Sequence, residues 1–559
     1  MQNVKEYTSM DFKDNYVKWI ESDAVDSAVK DELNNIAENE KETEDRFYKD
    51  LSFGTGGLRG VMGAGTNRMN VYTVRKATQG VANEILSHGS EFADKGVVIA
   101  YDSRNNSADF AYECTRVLSA NGIKTYIFDS LRPTPELSFA VRHLGCARGI
   151  VITASHNPKE YNGYKVYGED GGQIPPEIAE TIQRFIDETD IFDGVRLTDK
   201  PDNIIIGDEV DSAYIDAVKA QSCGTVIPED FKAVYTPLHG SGNLLVRRIL
   251  AKIGVKNVFT VPEQEKPDGN FPTVKSPNPE NSESFDIAVK YAKEQNADIV
   301  FGTDPDSDRL GVVVRNAVGE YVVLNGNQTG CLLCEYILRK AKESGTLPAD
   351  GAVVKTIVTT EAVRAIAADY GIETIDVLTG FKFIGDQIKG FEDKGRTEKF
   401  IFGLEESYGY LKGTYARDKD AVVAAMLICE AAADYKAKGM TLYEGLQAIY
   451  EKYGYSMEKL ETITLKGIDG AEQIKNIMHR FRTESLAMDI VKKLDYLDGI
   501  DGLPKSDVLK FFTPNGWFAV RPSGTEPKIK FYFGAKGSTK ADAENVLKEL
   551  TGILTDKCF

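Results

Sequence analysis

The sequence has no apolar run long enough to span a bilayer, and its opening stretch, MQNVKEYTSMDFKDNYVKWIESD, is acidic and lacks an apolar signal core. A cytoplasmic protein without a membrane partner is expected. Cysteine is scarce: seven, an odd number scattered over 559 residues, do not make a disulfide framework, which fits a reducing compartment. Cys331 and Cys334 form a C-x-x-C, but within GNQTGCLLCEYILRKAKES, an apolar helical pattern with no second ligand pair nearby. They are expected as buried helix residues rather than a metal or redox site. Cationic charge is in deficit as well, with 67 Lys and Arg against 85 Asp and Glu and a net charge of -18. Nucleic acid would be repelled, and an anionic substrate would need cations concentrated locally.

Several familiar signatures are also missing. FGTGGLRG, residues 53–60, is glycine-rich, yet Arg59 stands where a dinucleotide fingerprint starting at Gly54 has its last glycine, and no strand pattern precedes it. GFKFIGD from Gly380 has the glycine spacing of a Walker loop with Asp386 in place of its lysine. No G-x-S-x-G elbow occurs, so a serine-hydrolase reading of any serine lacks its usual context.

What the chain does have is length and repetition. Its 559 residues exceed one ordinary core, and typical domain sizes suggest ~3 to 4 domains. Hydrophobic residues at 42% and charged residues at 27% describe a globular protein. LSANGIKTYIF around Gly122, LAKIGVKNVFT around Gly254 and AADYGIETIDV around Gly371 each run from an amphipathic helix through a glycine into a β-branched strand. Their spacing is domain-sized. Each is followed by another strand ending in a chemically loaded loop: ARGIVITASHNP with Ser155, ADIVFGTDPDSDR with Asp304, and KFIFGLEESYG with Glu405. Ligands of open α/β sheets gather at the carboxyl ends of strands, so three such loops converging on one cleft is the expected geometry. After about residue 455 the pattern changes to an α+β unit ending in NGWFAVRPSGTEPKIKFYFGA.

The loops differ in how much chemistry they state. Ser155, His156, Asn157 and Pro158 are all compatible with a turn, or with a serine held at the mouth of a sheet to react. In DPDSDR, the acids Asp304, Asp306 and Asp308 recur at every second position, which an irregular loop can wrap around one hard cation. A calcium EF-hand is excluded because its sixth position would be Arg309 and its twelfth Arg315. Three carboxylates with room for a fourth oxygen suit magnesium. FGTGGLRG offers a flexible backbone with free N–H groups beside Arg59, an anion cradle or merely a glycine loop. In RPSGTEP, Arg521, Ser523, Gly524 and Thr525 read either as a hairpin tip or as donors for a phosphate oxygen shell.

TASHNP, DPDSDR, GLEES and RPSGTEP, in that order, resemble the α-D-phosphohexomutase family. FGTGGLRG, TPLHGSG and TGFKFIG resemble its phosphoglucomutase branch, which also contains phosphopentomutases. The resemblance runs from about residue 45 to the end; Leu404 and Pro305 depart from common forms of the motifs. It implies an α/β protein of three successive similar α/β domains with mixed sheets plus a C-terminal α+β domain, around one central cleft. Boundaries are expected at 46–205, 206–322, 323–454 and 455–559, after a helical extension over 1–45. The implied activity is a mutase interconverting glucose 1-phosphate and glucose 6-phosphate through a phosphoserine and a glucose 1,6-bisphosphate intermediate, with the bisphosphate as activator. Pentose or mannose phosphates are alternative substrates, a sugar-bisphosphate synthase is an alternative outcome, and a non-catalytic sugar-phosphate binder a further one. By the resemblance, Ser155 carries the phosphoryl group, and Ser155, Asp304, Asp306 and Asp308 hold Mg2+. Arg59 and Lys165 stand beside it, with Lys165 or His156 moving the proton. His239, Arg309 and Lys382 line the cleft, Glu405 and Ser407 grip sugar hydroxyls, and Arg417, Lys419, Arg521, Ser523, Gly524 and Thr525 take the non-reacting phosphate. Monomer and dimer both remain open.

Overall fold

The computed structural model describes residues 11–54, 56–465, 468–523 and 528–558. Runs such as Val97–Tyr101, Arg148–Ile152, Ile299–Thr303 and Ala352–Thr356 are buried along nearly their whole length. This is the pattern of strands covered by helices on both faces.

Three mixed sheets follow one another along the chain. The first orders its strands Gly57–Val61, Tyr161–Tyr167, Arg148–Ile152, Val97–Tyr101, Thr125–Phe128 and Asn203–Ile206. In the second the order is Tyr321–Leu324, Leu310–Arg315, Ile299–Thr303, Lys232–Thr236 and Asn257–Thr260, and in the third Gly409–Lys412, Phe400–Glu405, Ala352–Thr356 and Glu373–Val377. The same unit recurs in each: one strand runs parallel to a central neighbour, delivers a loop, and pairs antiparallel with the strand that returns from it. Those delivering strands end at Ile152, Thr303 and Glu405. Gly122, Gly254 and Gly371, at φ +74, +89 and +72, turn each preceding helix into a strand, as the sequence pattern predicts.

The fourth sheet is antiparallel, in the order Tyr455–Thr464, Lys528–Gly537, Gly516–Pro522, Leu509–Thr513 and Lys492–Asp495. Side chains alternate across it. Phe518 and Val520 face the helices Ile468–Thr483 and Lys540–Cys558, whereas Trp517 and Ala519 face Ile357, Val358 and Leu378 of the third unit. At the other end, helices Asp11–Glu21, Ser27–Asn35 and Glu40–Phe47 bury Phe12, Trp19, Leu33 and Phe47 against Ala64 and Tyr72. Cys331 and Cys334 are free thiols buried in the helix Gly326–Glu343, as expected. No helix among the described residues is long and apolar enough to cross a membrane.

Candidate active site

Ser155 sits just beyond the strand Arg148–Ile152 in a left-handed conformation, φ +51, and is 3% exposed. Non-glycine residues adopt that region at a cost, so something must hold it. Thr153 Oγ1 accepts the Ser155 N–H at 2.8 Å and donates to Asp102 Oδ2 at 2.6 Å. The buried Arg104 guanidinium pairs with Asp102 and donates to the carbonyls of Ser155, Asn157, Pro158 and Tyr161. Asp102 and Arg104 escaped the sequence reading. Their signal was VVIAYDSR, another apolar strand ending in charge.

The hydroxyl of Ser155 donates to Asp304 Oδ2 at 2.6 Å, joining the first unit to the second. Asp304, Asp306 and Asp308 are buried, and each offers an oxygen within 4.8 Å of the others. Protein donors take some of their oxygens and leave others bare. Asp304 Oδ1 accepts the N–H groups of Asp308 and Arg309, both at 3.1 Å. Asp306 Oδ2 accepts Thr134 Oγ1 at 3.0 Å and Lys165 Nζ at 3.1 Å, and Asp308 Oδ2 meets Lys419 Nζ at 3.0 Å. Asp306 Oδ1 and Asp308 Oδ1 are buried without any hydrogen-bond partner. Orphaned carboxylate oxygens are costly, and a hard divalent cation is the group that satisfies them. Burial and then mutual repulsion push the Asp304 and Asp308 carboxyls up. Burial opposes ionisation of Asp306 too and is the largest single influence, but the Lys165 ammonium, the hydrogen bond with Asp304 and Lys419 together outweigh it and hold this carboxyl down.

Cations and the third loop close around this centre. Arg309 pairs with Glu280 and lies 3.8 Å from Asp308. Its backbone bridges Gly409, and the Leu310 N–H donates to the Tyr408 carbonyl at 3.0 Å, so the second and third loops are stitched together. Glu405 is 5% exposed, and burial pushes its carboxyl up to about 7 against the pull of Lys419. Burial, then Arg309 and Arg59, hold the His156 imidazole well below its ordinary value, and its Nδ1 lies 3.3 Å from Ser155 Oγ. From the fourth unit, Lys530 is depressed by burial and then by Arg521, its cross-strand partner, with Glu406, Glu280 and Arg309 acting on it across the cleft.

Residues 50–191, 212–319 and 325–453 match alpha/beta/alpha domains I, II and III of phosphoglucomutase/phosphomannomutase, and 473–551 match its C-terminal domain. The chain belongs to the phosphoglucomutase/phosphomannomutase family. Phosphoglucomutase of Staphylococcus saprophyticus is 38% identical over 545 residues, covering 92% of this chain and 95% of the relative. That of Staphylococcus epidermidis is 38% identical over 535 residues, with the same coverage. A phosphoglucomutase/phosphomannomutase family protein of Burkholderia thailandensis shares the fold at a TM-score of 0.69 and 19% identity, over 91% of this chain and 98% of that one.

The remaining expected site residues of this phosphoglucomutase/phosphomannomutase family chain fall in varied settings. Much of FGTGGLRG is not a flexible loop: Gly57–Val61 is an edge strand paired on one side, antiparallel, with Tyr161–Tyr167. A Cβ on Gly57 would come within 2.0 Å of the Tyr164 carbonyl, so glycine there serves close backbone approach. The pairing sets Arg59 opposite Gly163 and Gly57 opposite Lys165, and Arg59 Nη1 donates to Asn157 at 3.4 Å. His239, at φ +62, is buried with Nδ1 3.1 Å from the Lys266 carbonyl and Nε2 2.9 Å from Thr273 Oγ1, a brace within its own unit. Arg417 is fully buried and pairs with Glu392 at 2.6 Å, while Lys419 bridges Asp308 and Asp418, both at 3.0 Å. Burial, partly offset by Asp386, lowers the half-buried Lys382 ammonium. Ser407 is half-buried beside Glu405. The Ser523 N–H donates to the Lys528 carbonyl at 2.7 Å; Gly524 and Thr525 lie outside the described residues.

Proposed function

We propose that the chain is a phosphoglucomutase that moves a phosphoryl group between the 1- and 6-positions of glucose phosphate by way of Ser155. The observation that carries this reading is the Ser155 hydroxyl bonded at 2.6 Å to Asp304 within a cluster of three buried carboxylates. A serine oxygen placed there can complete the shell of a divalent cation, which when bound neutralises charge on the transferring group. Asp304, Asp306 and Asp308 would hold that ion.

The chain's own residues supply the rest. In the first half-reaction a sugar hydroxyl oxygen bonds to phosphorus, the bond from phosphorus to Ser155 Oγ breaks, and the hydroxyl proton leaves to a base. His156, kept neutral by burial and surrounding guanidinium groups, suits that proton; Lys165, paired to Asp306, suits a charge-neutralising donor. Glu405 and Ser407 grip the sugar, Arg521 with Arg59, Arg309 and Lys419 supplies positive charge for the phosphates of the bisphosphate, and Ser523 adds a neutral hydrogen-bond donor. The intermediate then turns over, and its other phosphate returns to Ser155. Units at 46–205, 206–322, 323–454 and 455–559 each contribute one loop to this cleft. A reducing, cytoplasmic setting and activation by glucose 1,6-bisphosphate belong to the same reading.

A coupled assay of the purified protein with magnesium and a trace of glucose 1,6-bisphosphate tests it. Glucose 1-phosphate should be used best among glucose, mannose, ribose and deoxyribose 1-phosphates at equal concentration. A clear pentose preference would make the chain a phosphopentomutase, and steady release of bisphosphate a synthase.

A further inference from the structure

Thr134 lies at the start of the helix Thr134–Leu144, far in sequence from the acidic loop, and is completely buried. The helix is fixed to the sheet that delivers Ser155: Leu137, Ala140 and Val141 pack with Val98, Ala100 and Val151. Two bonds reach from Thr134 into the second unit. Its N–H, one of the donors that a helix start leaves unpaired, meets the Asp306 carbonyl at 2.9 Å, and its hydroxyl donates to Asp306 Oδ2 at 3.0 Å.

We infer that Thr134 is a positioning residue for the divalent cation, aiming the Asp306 carboxylate and fixing the acidic loop against Ser155. The inference rests on the reading of Asp304, Asp306 and Asp308 as cation ligands. With Thr134 and Lys165 both donating to Oδ2, rotation of the carboxylate is blocked and the unpartnered Oδ1 is left for the ion. Lys165 alone is a point donor on a flexible stem, whereas the Thr134 hydroxyl sits two bonds from a rigid backbone. Outer donors of this kind orient metal ligands, and their removal commonly weakens metal affinity by ~10- to 100-fold. Because Thr134 and Ser155 hang from one sheet and the three acids from another, this contact also sets the distance between phosphoryl donor and cation loop.

The test is isothermal titration calorimetry of magnesium chloride into wild type, Thr134→Val, Thr134→Ser and Asp306→Asn, with melts of each in EDTA. Thr134→Val should weaken magnesium binding by roughly 10-fold or more. Its EDTA melt should stay within a few degrees of wild type, Thr134→Ser should restore affinity to within about twofold, and saturating magnesium should recover turnover. Wild-type magnesium affinity in Thr134→Val overturns the inference while leaving the cation site standing. So does weakened binding that follows a collapsed EDTA melt and is not rescued by serine, which would make Thr134 a fold residue. If wild type itself binds no magnesium, or Asp306→Asn binds as well as wild type, the cation reading fails and this inference with it.

Discussion

Ser155 holds a backbone conformation that costs a non-glycine residue ~1–2 kcal/mol, offset by the network of Thr153, Asp102 and Arg104 beneath it. Replacing Arg104 with methionine leaves the carbonyls of Ser155, Asn157, Pro158 and Tyr161 without their shared donor. Turnover should fall at least 100-fold, and lysine, which cannot fork to several carbonyls, should rescue little of it. Steady-state kinetics of the two variants checks this. Asp306→Asn removes one charge from the cation loop, so turnover should drop by orders of magnitude with little change in the melt, and excess magnesium should recover part of the loss. Near-normal turnover at low magnesium would reduce that loop to an acidic turn. At this scale the sequence was readable where the chemistry is contiguous, as in the three acids of DPDSDR. Arg104, Thr134, Glu280 and Glu392 were not, because each acts on a group far away along the chain and only the fold makes them neighbours.

Among elements, the helix Ala421–Ala437 is buried almost all round, so its ends cannot rely on water. Asp420 caps it, accepting the N–H groups of Val422 and Val423 through Oδ1 while Oδ2 takes the hydroxyls of Tyr214 and Tyr415. Asp420→Ala should destabilise the protein by about 2 kcal/mol or more, since it removes a cap and strands two buried hydroxyls. A thermal melt reads this, and a loss of only a few tenths would mean that the cap is idle. RDKD by itself reads as a solvated helix start, yet Arg417 and Asp420 are fully buried because neighbouring units cover them. By contrast, the delivering strands and the glycine turns at Gly122, Gly254 and Gly371 were legible, since periodicity and a positive φ are local properties. The strand Gly57–Val61 was missed because the four glycines of FGTGGLRG, two of them within the strand, hide any β pattern; what makes it a strand is the distant Tyr161–Tyr167.

The whole molecule is held around the cleft by a few contacts between units. Arg142 of the first and Arg417 of the third share Glu392, at 2.8 and 2.6 Å, and the Arg417 N–H donates to Ser138 Oγ at 2.8 Å. The hydrogen bond from Arg142, with Arg417 adding to it against a smaller burial cost, depresses the Glu392 carboxyl from 4.5 to about 2. A depressed carboxylate stabilises the fold fully above its unfolded value and loses that contribution as pH falls through its folded value. Wild type should therefore exceed Glu392→Gln in denaturation midpoint at pH 6, and the gap should narrow between pH 4.5 and 2. Partial exposure of Glu392 makes the gap modest. A gap that stays constant across that range would remove Glu392 from the acid response. Under the proposed function, the convergence of the units matters because one serine has to meet an ion held by a second unit and a sugar held by a third. The most direct test is intact mass spectrometry of the purified protein with peptide mapping, before and after incubation with glucose 1,6-bisphosphate. The account predicts a species heavier by one phosphoryl group, mapped to Ser155, increased by the bisphosphate and absent from an inactive Ser155→Ala. A Ser155→Ala variant that keeps wild-type turnover, or a phosphoryl group mapped elsewhere, would contradict it.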